Sequence, residues 1–289
     1  MLGDLLKRLG ALLFTLLSMA LAVLAILYLL PAAHKARTAS SSSPSESPHA
    51  PSSGACYDVQ ARKSPQDPWY GEIVSTLAPG ERFLIPRNLA QKKGAGQTLL
   101  TMQYDGKEVA KIAFGTDDVP YFVNAFFVDF SPEPIRHVWE AQRKLRLRLR
   151  YELDSRHFPG RREVWQTSAQ TFRSLRGDCE DLAIFLADWL ATQGYDARVA
   201  VGTHGRDGHA WVVLFLKGQT FLIEATSRRP ARLYPLAAML PKYHPVAMFN
   251  RDTFWVNTGS PLTTDYVGKR WRKRSTFVRF PEPVRFFAP

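Results

Sequence analysis

The chain has 289 residues, 45% of them apolar and 22% charged, which excludes an intrinsically disordered protein and allows one large or two small domains. Its net charge of +12 favours an anionic partner, either phospholipid headgroups, nucleic acid or a cell-wall polymer. The two cysteines are too few for a disulfide framework, although one bridge between Cys56 and Cys179 is formally possible.

An uncharged apolar run extends from Leu9 to Leu30 near the start of the chain. As a helix its 22 residues reach about 33 Å, enough to cross a hydrocarbon core of ~30 Å. Signal peptides have a shorter apolar region of ~7–15 residues. The run therefore predicts a single-pass transmembrane anchor over residues 1–37. A signal peptide cleaved late, behind Ala32-Ala33, is the alternative.

Basic residues flank this run almost evenly, with Lys7 and Arg8 before it and Lys35 and Arg37 after it. The N-terminal amine tips the positive-inside count toward a cytoplasmic N-terminus, and long domains translocate largely regardless of charge. We therefore expect the folded part of the chain to lie outside the cytoplasm.

The next segment, residues 38–54, holds eight serines and three prolines and no large apolar residue. Such a composition cannot bury a core, so the segment is predicted to be a flexible linker. Residues 55–131 then read as a small β-rich module, because β-branched and aromatic runs alternate with turn residues. Asp105-Gly106 between two of these runs predicts a hairpin.

Helical patterns dominate the first part of residues 132–257. One helix is predicted to open at Pro132-Glu133-Pro134, a second near Thr167-Ser168, and a third from Asp178 to about Gln193, before Gly194. Strands follow at Ala197–Val201, Ala210–Leu216 and Phe221–Thr226, with a further strand expected within Val246–Val256. Helices followed by an antiparallel sheet predict an α+β fold.

Cys179 is the first candidate site residue, because it lies at the predicted start of the third helix. Backbone N–H groups and the helix dipole favour a thiolate there. The alternative is a small core residue, since Cys179 shares a helix face with Leu182 and Phe185. The neighbouring carboxylates of Asp178, Glu180 and Asp181 oppose a thiolate unless a histidine or a bound cation offsets them.

His209 is the candidate base, placed between a glycine-rich loop and an apolar strand. A hydrogen-bond acceptor should orient its imidazole, and Glu224 is the carboxylate on the following strand. A turn centred on Gly218-Gln219 puts both side chains on one face of the sheet but not opposite each other, so contact is expected to need a longer loop or a bulge. His204 is a fallback base and Asp207 a fallback orienting group.

These residues resemble the transglutaminase-like superfamily, most closely its bacterial cysteine proteinases. The resemblance is carried by Trp165-Gln166-Thr167, Gly177-Asp178-Cys179-Glu180-Asp181, His209-Ala210-Trp211 and Glu224-Ala225-Thr226, within about Pro132 to Asn257. It implies a papain-like core in which a helix carrying the cysteine packs on an antiparallel sheet.

The resemblance also implies roles for individual residues. Cys179 would be the nucleophile, His209 the general base and then acid, and Glu224 the orienting carboxylate, where the family usually has Asp. No cofactor is required, although some relatives bind calcium through acids that correspond to Asp178 and Glu180. Together with the anchor, the resemblance implies a bacterial inner-membrane protein whose domain faces the periplasm.

An oxyanion donor is less clearly marked. The Cys179 backbone N–H is one candidate, since a helix start leaves it free, and the side chains of Gln166 and Trp165 are others.

The C-terminal residues 258–289 form a basic, aromatic segment expected to pack back as an extended strap. Its cations, from Lys269 to Arg274, fit an anionic membrane surface better than nucleic acid, which we regard as an unlikely partner.

The function hypothesis is a membrane-tethered cysteine hydrolase that acts on a protein or peptide through an acyl-enzyme. An inactive binding module of the same fold is the alternative.

Overall fold

The computed structural model describes residues 71–77, 82–85, 99–228 and 235–279. The predicted anchor, the linker and Cys56 lie outside these ranges, as do residues 280–289 of the predicted C-terminal strap. Among the residues described, no helix is long and apolar enough to cross a membrane.

Thirteen strands and four α-helices form the described part of the chain. The strands are β1 (Gly71–Ser75), β2 (Arg82–Phe83), β3 (Leu100–Tyr104), β4 (Lys107–Phe114), β5 (Pro120–Phe122), β6 (Arg150–Tyr151), β7 (Arg176–Gly177), β8 (Asp196–His204), β9 (Asp207–Leu216), β10 (Gln219–Ile223), β11 (Tyr243–Phe249), β12 (Thr253–Asn257) and β13 (Trp271–Arg279). The helices are α1 (Val138–Arg148), α2 (Asp154–His157), α3 (Ser168–Ser174) and α4 (Cys179–Thr192). Two short 3-10 turns lie at Val123–Phe126 and Ala237–Met239.

One antiparallel sheet organises the fold, with strand order β10-β9-β8-β11-β12-β13-β1-β2. The mixed class with a large antiparallel sheet is the one that the sequence predicts. The sheet runs across the predicted boundaries at 131 and 258, because β1 and β2 precede the first and β13 follows the second. The domain limits themselves stay predictions.

Helix α4 lies at the centre of the core. Its residues from Glu180 to Leu190 are all buried, as expected of a helix that is apolar on nearly every side. One face of the sheet packs against it through the alternate side chains of β8 and β9, such as Val199 and Val212. The other face carries a second apolar cluster that includes Trp211, Met248 and Tyr266.

The turns follow the sequence signals closely. Asp105 and Gly106 both have positive φ and connect β3 to β4, which confirms the predicted hairpin. Gly194 has φ of +84° and follows Gln193, the C-cap residue of α4, where a helix-ending glycine was expected.

Three predicted elements differ in detail. The first helix begins at Val138 rather than at the Pro132-Glu133-Pro134 segment. Thr167, not Ser168, caps α3: its hydroxyl accepts from the Gln170 N–H while the Gln170 side chain accepts from the Thr167 N–H. The segment expected to hold one strand forms both β11 and β12.

Candidate active site

The start of α4 is shaped by a close backbone approach. A Cβ atom at Gly177 would lie 2.6 Å from the Cβ of Asp181, so only glycine lets the chain enter the helix along this path. Asp178 is the N-cap residue, and Cys179 is the first residue of the helix. The Cys179 thiol is free and half-buried. The sequence motif thus places a thiol at a helix N-terminus, as predicted.

Two candidate oxyanion donors are already engaged with other groups. The Gln166 side-chain amide donates to Asp181 Oδ2 and to the Arg176 carbonyl, and the residue is buried. The Trp165 indole N–H donates to Glu163 Oε1 at 3.1 Å. Of the candidates that the sequence offered, the Cys179 backbone N–H remains, since the first N–H groups of a helix have no partner within it.

His209 and Glu224 contact each other across the β9–β10 hairpin. Gln219 pairs with Leu216, so the turn consists of Lys217 and Gly218, and Glu224 follows β10 on the diagonal from His209. The distance from His209 Nε2 to Glu224 Oε2 is 2.9 Å. The prediction that contact needs a longer loop or a bulge is wrong, because a diagonal pair is within reach of a long side chain such as Glu.

Both oxygen atoms of the Glu224 carboxylate accept hydrogen bonds from neighbouring residues. Thr226 donates to Oε1 through its backbone N–H (3.0 Å) and its hydroxyl (2.7 Å). Tyr243 donates its hydroxyl to Oε2 at 2.8 Å. Burial raises the pKa of Glu224, but the bonds and charge of His209 and the bonds from Thr226 outweigh it and lower the pKa overall.

The Cys179 thiol is the second group that acts on the His209 imidazole. Since Nε2 faces Glu224, Nδ1 is the ring nitrogen left for the sulfur. Burial works against a charged ring, yet the interactions with Cys179 and Glu224 prevail and raise the pKa of His209 to about 10. The same thiol lies 3.2 Å from Glu180 Oε2, so it has a basic and an acidic neighbour.

The fallback residues lie beside this array rather than within it. His204 pairs with Asp207 across the turn between β8 and β9. The His204 ring stacks on Tyr243 with centroids 4.3 Å apart and lies 5.7 Å from the His209 ring.

Buried and half-buried carboxylates surround the start of α4. Besides Asp178 and Glu180, they include Asp154, Glu163 and Asp181, with oxygen atoms within 4.8 Å of one another in groups of three. Asp154 Oδ1, Asp178 Oδ1 and Glu180 Oε1 are buried without a hydrogen-bond partner. Unpartnered buried oxygens of this kind fit a hard cation such as calcium.

Crowding of these acids makes their charged forms costly. Burial and the charge of Asp178 raise the pKa of Asp154 to about 8. The same two causes raise the pKa values of Glu180 and Asp181 well above their usual range. The sequence indicated only the acids next to Cys179, because Asp154 and Glu163 lie in separate segments without any motif of their own.

A family model matches the part of the chain that holds the candidate site. Residues 163–271 match the family model of the CEP76 peptidase-like domain, a range that includes Cys179, His209 and Glu224. The match confirms the predicted resemblance for this part of the chain. No curated protein sequence matches the chain.

Solved structures give weaker likenesses. A calcium-bound form of LapG from Legionella pneumophila is 17% identical with a TM-score of 0.36, covering 46% of this chain and 73% of that chain. An EGTA-treated form of the same protein is 16% identical with a TM-score of 0.36, covering 46% and 71%. A protein from Cytophaga hutchinsonii described as a cysteine protease is 16% identical with a TM-score of 0.27, covering 49% and 51%. TM-scores this low do not by themselves establish a shared function.

Proposed function

We propose that this protein is a cysteine hydrolase of the transglutaminase-like type, with peptide bonds as its substrate. The observation that carries the proposal is the linear array of Cys179, His209 and Glu224. A thiol at a helix N-terminus raises the pKa of an imidazole whose Nε2 lies 2.9 Å from a carboxylate oxygen. A nucleophile, a base and an orienting acceptor grouped at one place are the parts that acyl transfer requires.

In this reaction the Cys179 thiolate attacks the peptide carbonyl carbon and forms a carbon–sulfur bond. His209, protonated, gives its proton to the leaving amine as the carbon–nitrogen bond breaks. Neutral His209 then takes a proton from water, which attacks the thioester and releases the acid and the thiol. Glu224 keeps the ring oriented throughout and stabilises its charged form.

Negative charge develops on the carbonyl oxygen during the attack, and the start of α4 stabilises it. The Cys179 N–H and the helix dipole point toward an anion there. We propose hydrolysis rather than transamidation, because transamidation needs the acyl-enzyme shielded from water.

We also propose that the acidic cluster binds calcium. Asp178 and Glu180, together with Asp154, Glu163 and Asp181, supply carboxylate oxygens, some of which lack any other partner. Calcium bound there would offset the negative charge around the thiol. These acids would hold the ion, while the proton transfers stay with His209.

The surroundings of the enzyme remain proposals from the sequence. An apolar run at residues 9–30 would tether the domain to a bacterial inner membrane on its periplasmic side, with the linker giving reach.

The proposal is tested with the full chain in detergent and a diverse mixture of synthetic peptides. Mass spectrometry should find new peptide ends with wild-type protein and none with Cys179→Ala, and an acid quench should trap an acyl group on Cys179. If no peptide is cut and a peptidyl vinyl sulfone leaves Cys179 unmodified, the protein is the inactive binding module instead.

A further inference from the structure

Tyr243 reaches the proposed triad from a different strand. Its hydroxyl donates to Glu224 Oε2 at 2.8 Å, and this oxygen is the one that lies 2.9 Å from His209 Nε2. We propose that Tyr243 is a positioning residue, which holds the Glu224 carboxylate in the orientation that His209 needs. This inference rests on the proposed function, in which His209 acts on Cys179.

The Glu224 side chain needs such a partner because of where it lies. Glu224 follows the last residue of β10, an edge strand of the sheet, and its long side chain must span a diagonal to reach His209. Thr226 fixes only one oxygen, Oε1. Without a second fixed donor, the other oxygen would be oriented by His209 alone, which is the group that it is meant to orient.

Tyr243 can serve as that donor because its own position is fixed. The residue is 9% exposed, and its backbone pairs with His204 of β8. Its ring stacks on His204 and meets Trp211 edge-on, with centroids 5.2 Å apart. Burial and the nearby Glu224 charge raise the pKa of Tyr243, so the hydroxyl keeps the proton that it donates.

The four hydrogen bonds also use all the acceptor sites of the Glu224 carboxylate. An ionised carboxylate has about four lone-pair sites. Two donors from Thr226 occupy Oε1, while Tyr243 and His209 occupy Oε2. A carboxylate bound on all sides cannot rotate, and its remaining contact with His209 is therefore set by the surrounding protein.

The test compares Tyr243→Phe with Tyr266→Phe in the full chain, both with Cys56→Ser. Tyr266 is the matched control, because it is buried in the same apolar cluster as Tyr243. Its hydroxyl accepts a hydrogen bond from Trp211 Nε1 rather than bonding to Glu224. The measured quantity is the rate at which iodoacetamide labels Cys179 at about pH 6, below the free-thiol pKa of ~8.5. Tyr243→Phe should slow labelling about tenfold, the scale of one hydrogen bond to a charged group, and Tyr266→Phe should leave it unchanged.

Two further readouts separate positioning from mere loss of packing. In a Glu224→Ala background, Tyr243→Phe should have no additional effect on labelling, because the hydroxyl acts only through the carboxylate. In proton NMR, the low-field His209 Nε2–H signal should move upfield or vanish in Tyr243→Phe and persist in Tyr266→Phe.

Labelling of Tyr243→Phe at the wild-type rate would overturn the inference, as would an undiminished effect in the Glu224→Ala background. Failure of the proposed function looks different. In that case wild-type protein and His209→Ala would already be labelled at equal rates, whatever residue stands at position 243.

Discussion

At the scale of single residues, the length of the Glu224 side chain decides whether the proposed triad is complete. The family that the motifs resemble usually has Asp at this place, one methylene shorter. Here Glu224 lies on the diagonal from His209, and the extra methylene lets its carboxylate reach Nε2 at 2.9 Å.

Glu224→Asp should therefore lose the hydrogen bond to His209, although Asp is the usual residue in the family that the motifs resemble. We expect iodoacetamide labelling of Cys179 at about pH 6 to fall ~10–100-fold, the range of a lost charged hydrogen bond of ~1.5–3 kcal/mol. Glu133→Asp, which shortens a carboxylate paired with Lys144 on α1, is the matched control and should react normally. Equal labelling of the two variants would show that Glu224 does not orient His209.

The sequence could predict which residues meet but not how they meet. Side chains alternate between the two faces of a strand, so a shift of the strand pairing by two residues leaves each side chain on the same face. The sequence could therefore place His209 and Glu224 on one face of the sheet. The register itself depended on whether the turn was Lys217-Gly218 or Gly218-Gln219, a choice that local composition does not settle. Tyr243 could not be found this way, since its contact with Glu224 joins strands that are not neighbours in the sheet.

At the scale of elements, a buried ion pair anchors α4 to the loop between β11 and β12. Asp188 is fully buried in the helix and accepts from Arg251 Nε at 2.9 Å and Nη2 at 2.6 Å. It also accepts from the Ser168 hydroxyl at the start of α3. Asp188 thereby connects the helix that carries Cys179 to the β11–β12 loop and to α3.

Arg251→Met should leave Asp188 without its charged partner and cost about 3–5 kcal/mol of unfolding free energy. Urea unfolding followed by tryptophan fluorescence measures the loss. Arg272→Met removes an exposed cation from β13 and should change stability by less than about 0.5 kcal/mol. If both variants unfolded at the same urea concentration, the pair would not anchor α4.

Helix α4 itself was predictable from its sequence, whereas its buried charges were not. A helix start at Asp178 and a stop at Gly194 follow from capping signals. The Asp188 partner is Arg251, 63 residues away, and an acidic residue inside an apolar helix gives no indication of where its partner lies.

At the scale of the whole molecule, the acidic cluster should couple stability to pH and, with the proposed calcium site, to cations. The pKa of Asp154 is raised from 3.8 to about 8, so the folded protein binds a proton more tightly than the unfolded chain. Stability from this group is complete below the unfolded value and is lost as the pH rises through about 8. A bound cation would replace the missing protons.

Calcium should therefore raise the melting temperature most clearly near pH 8. At a free concentration of ~100 times the dissociation constant, binding adds about 2.7 kcal/mol, or roughly 5–10 °C for a domain of this size. Asp178→Asn should reduce the shift, while Asp252→Asn, which changes an exposed acid, should preserve it. An equal melting temperature in calcium and in EDTA would rule out the calcium site.

The most direct test of the whole account is the rate of Cys179 alkylation as a function of pH. Wild-type protein and His209→Ala are compared, both with Cys56→Ser and with calcium at ~1 mM, where weak extracellular sites fill. The account predicts a wild-type thiolate that persists well below the free-cysteine pKa of ~8.5 and disappears without His209. A slow thiol that reacts identically in both proteins would contradict it and would leave Cys179 as a core residue.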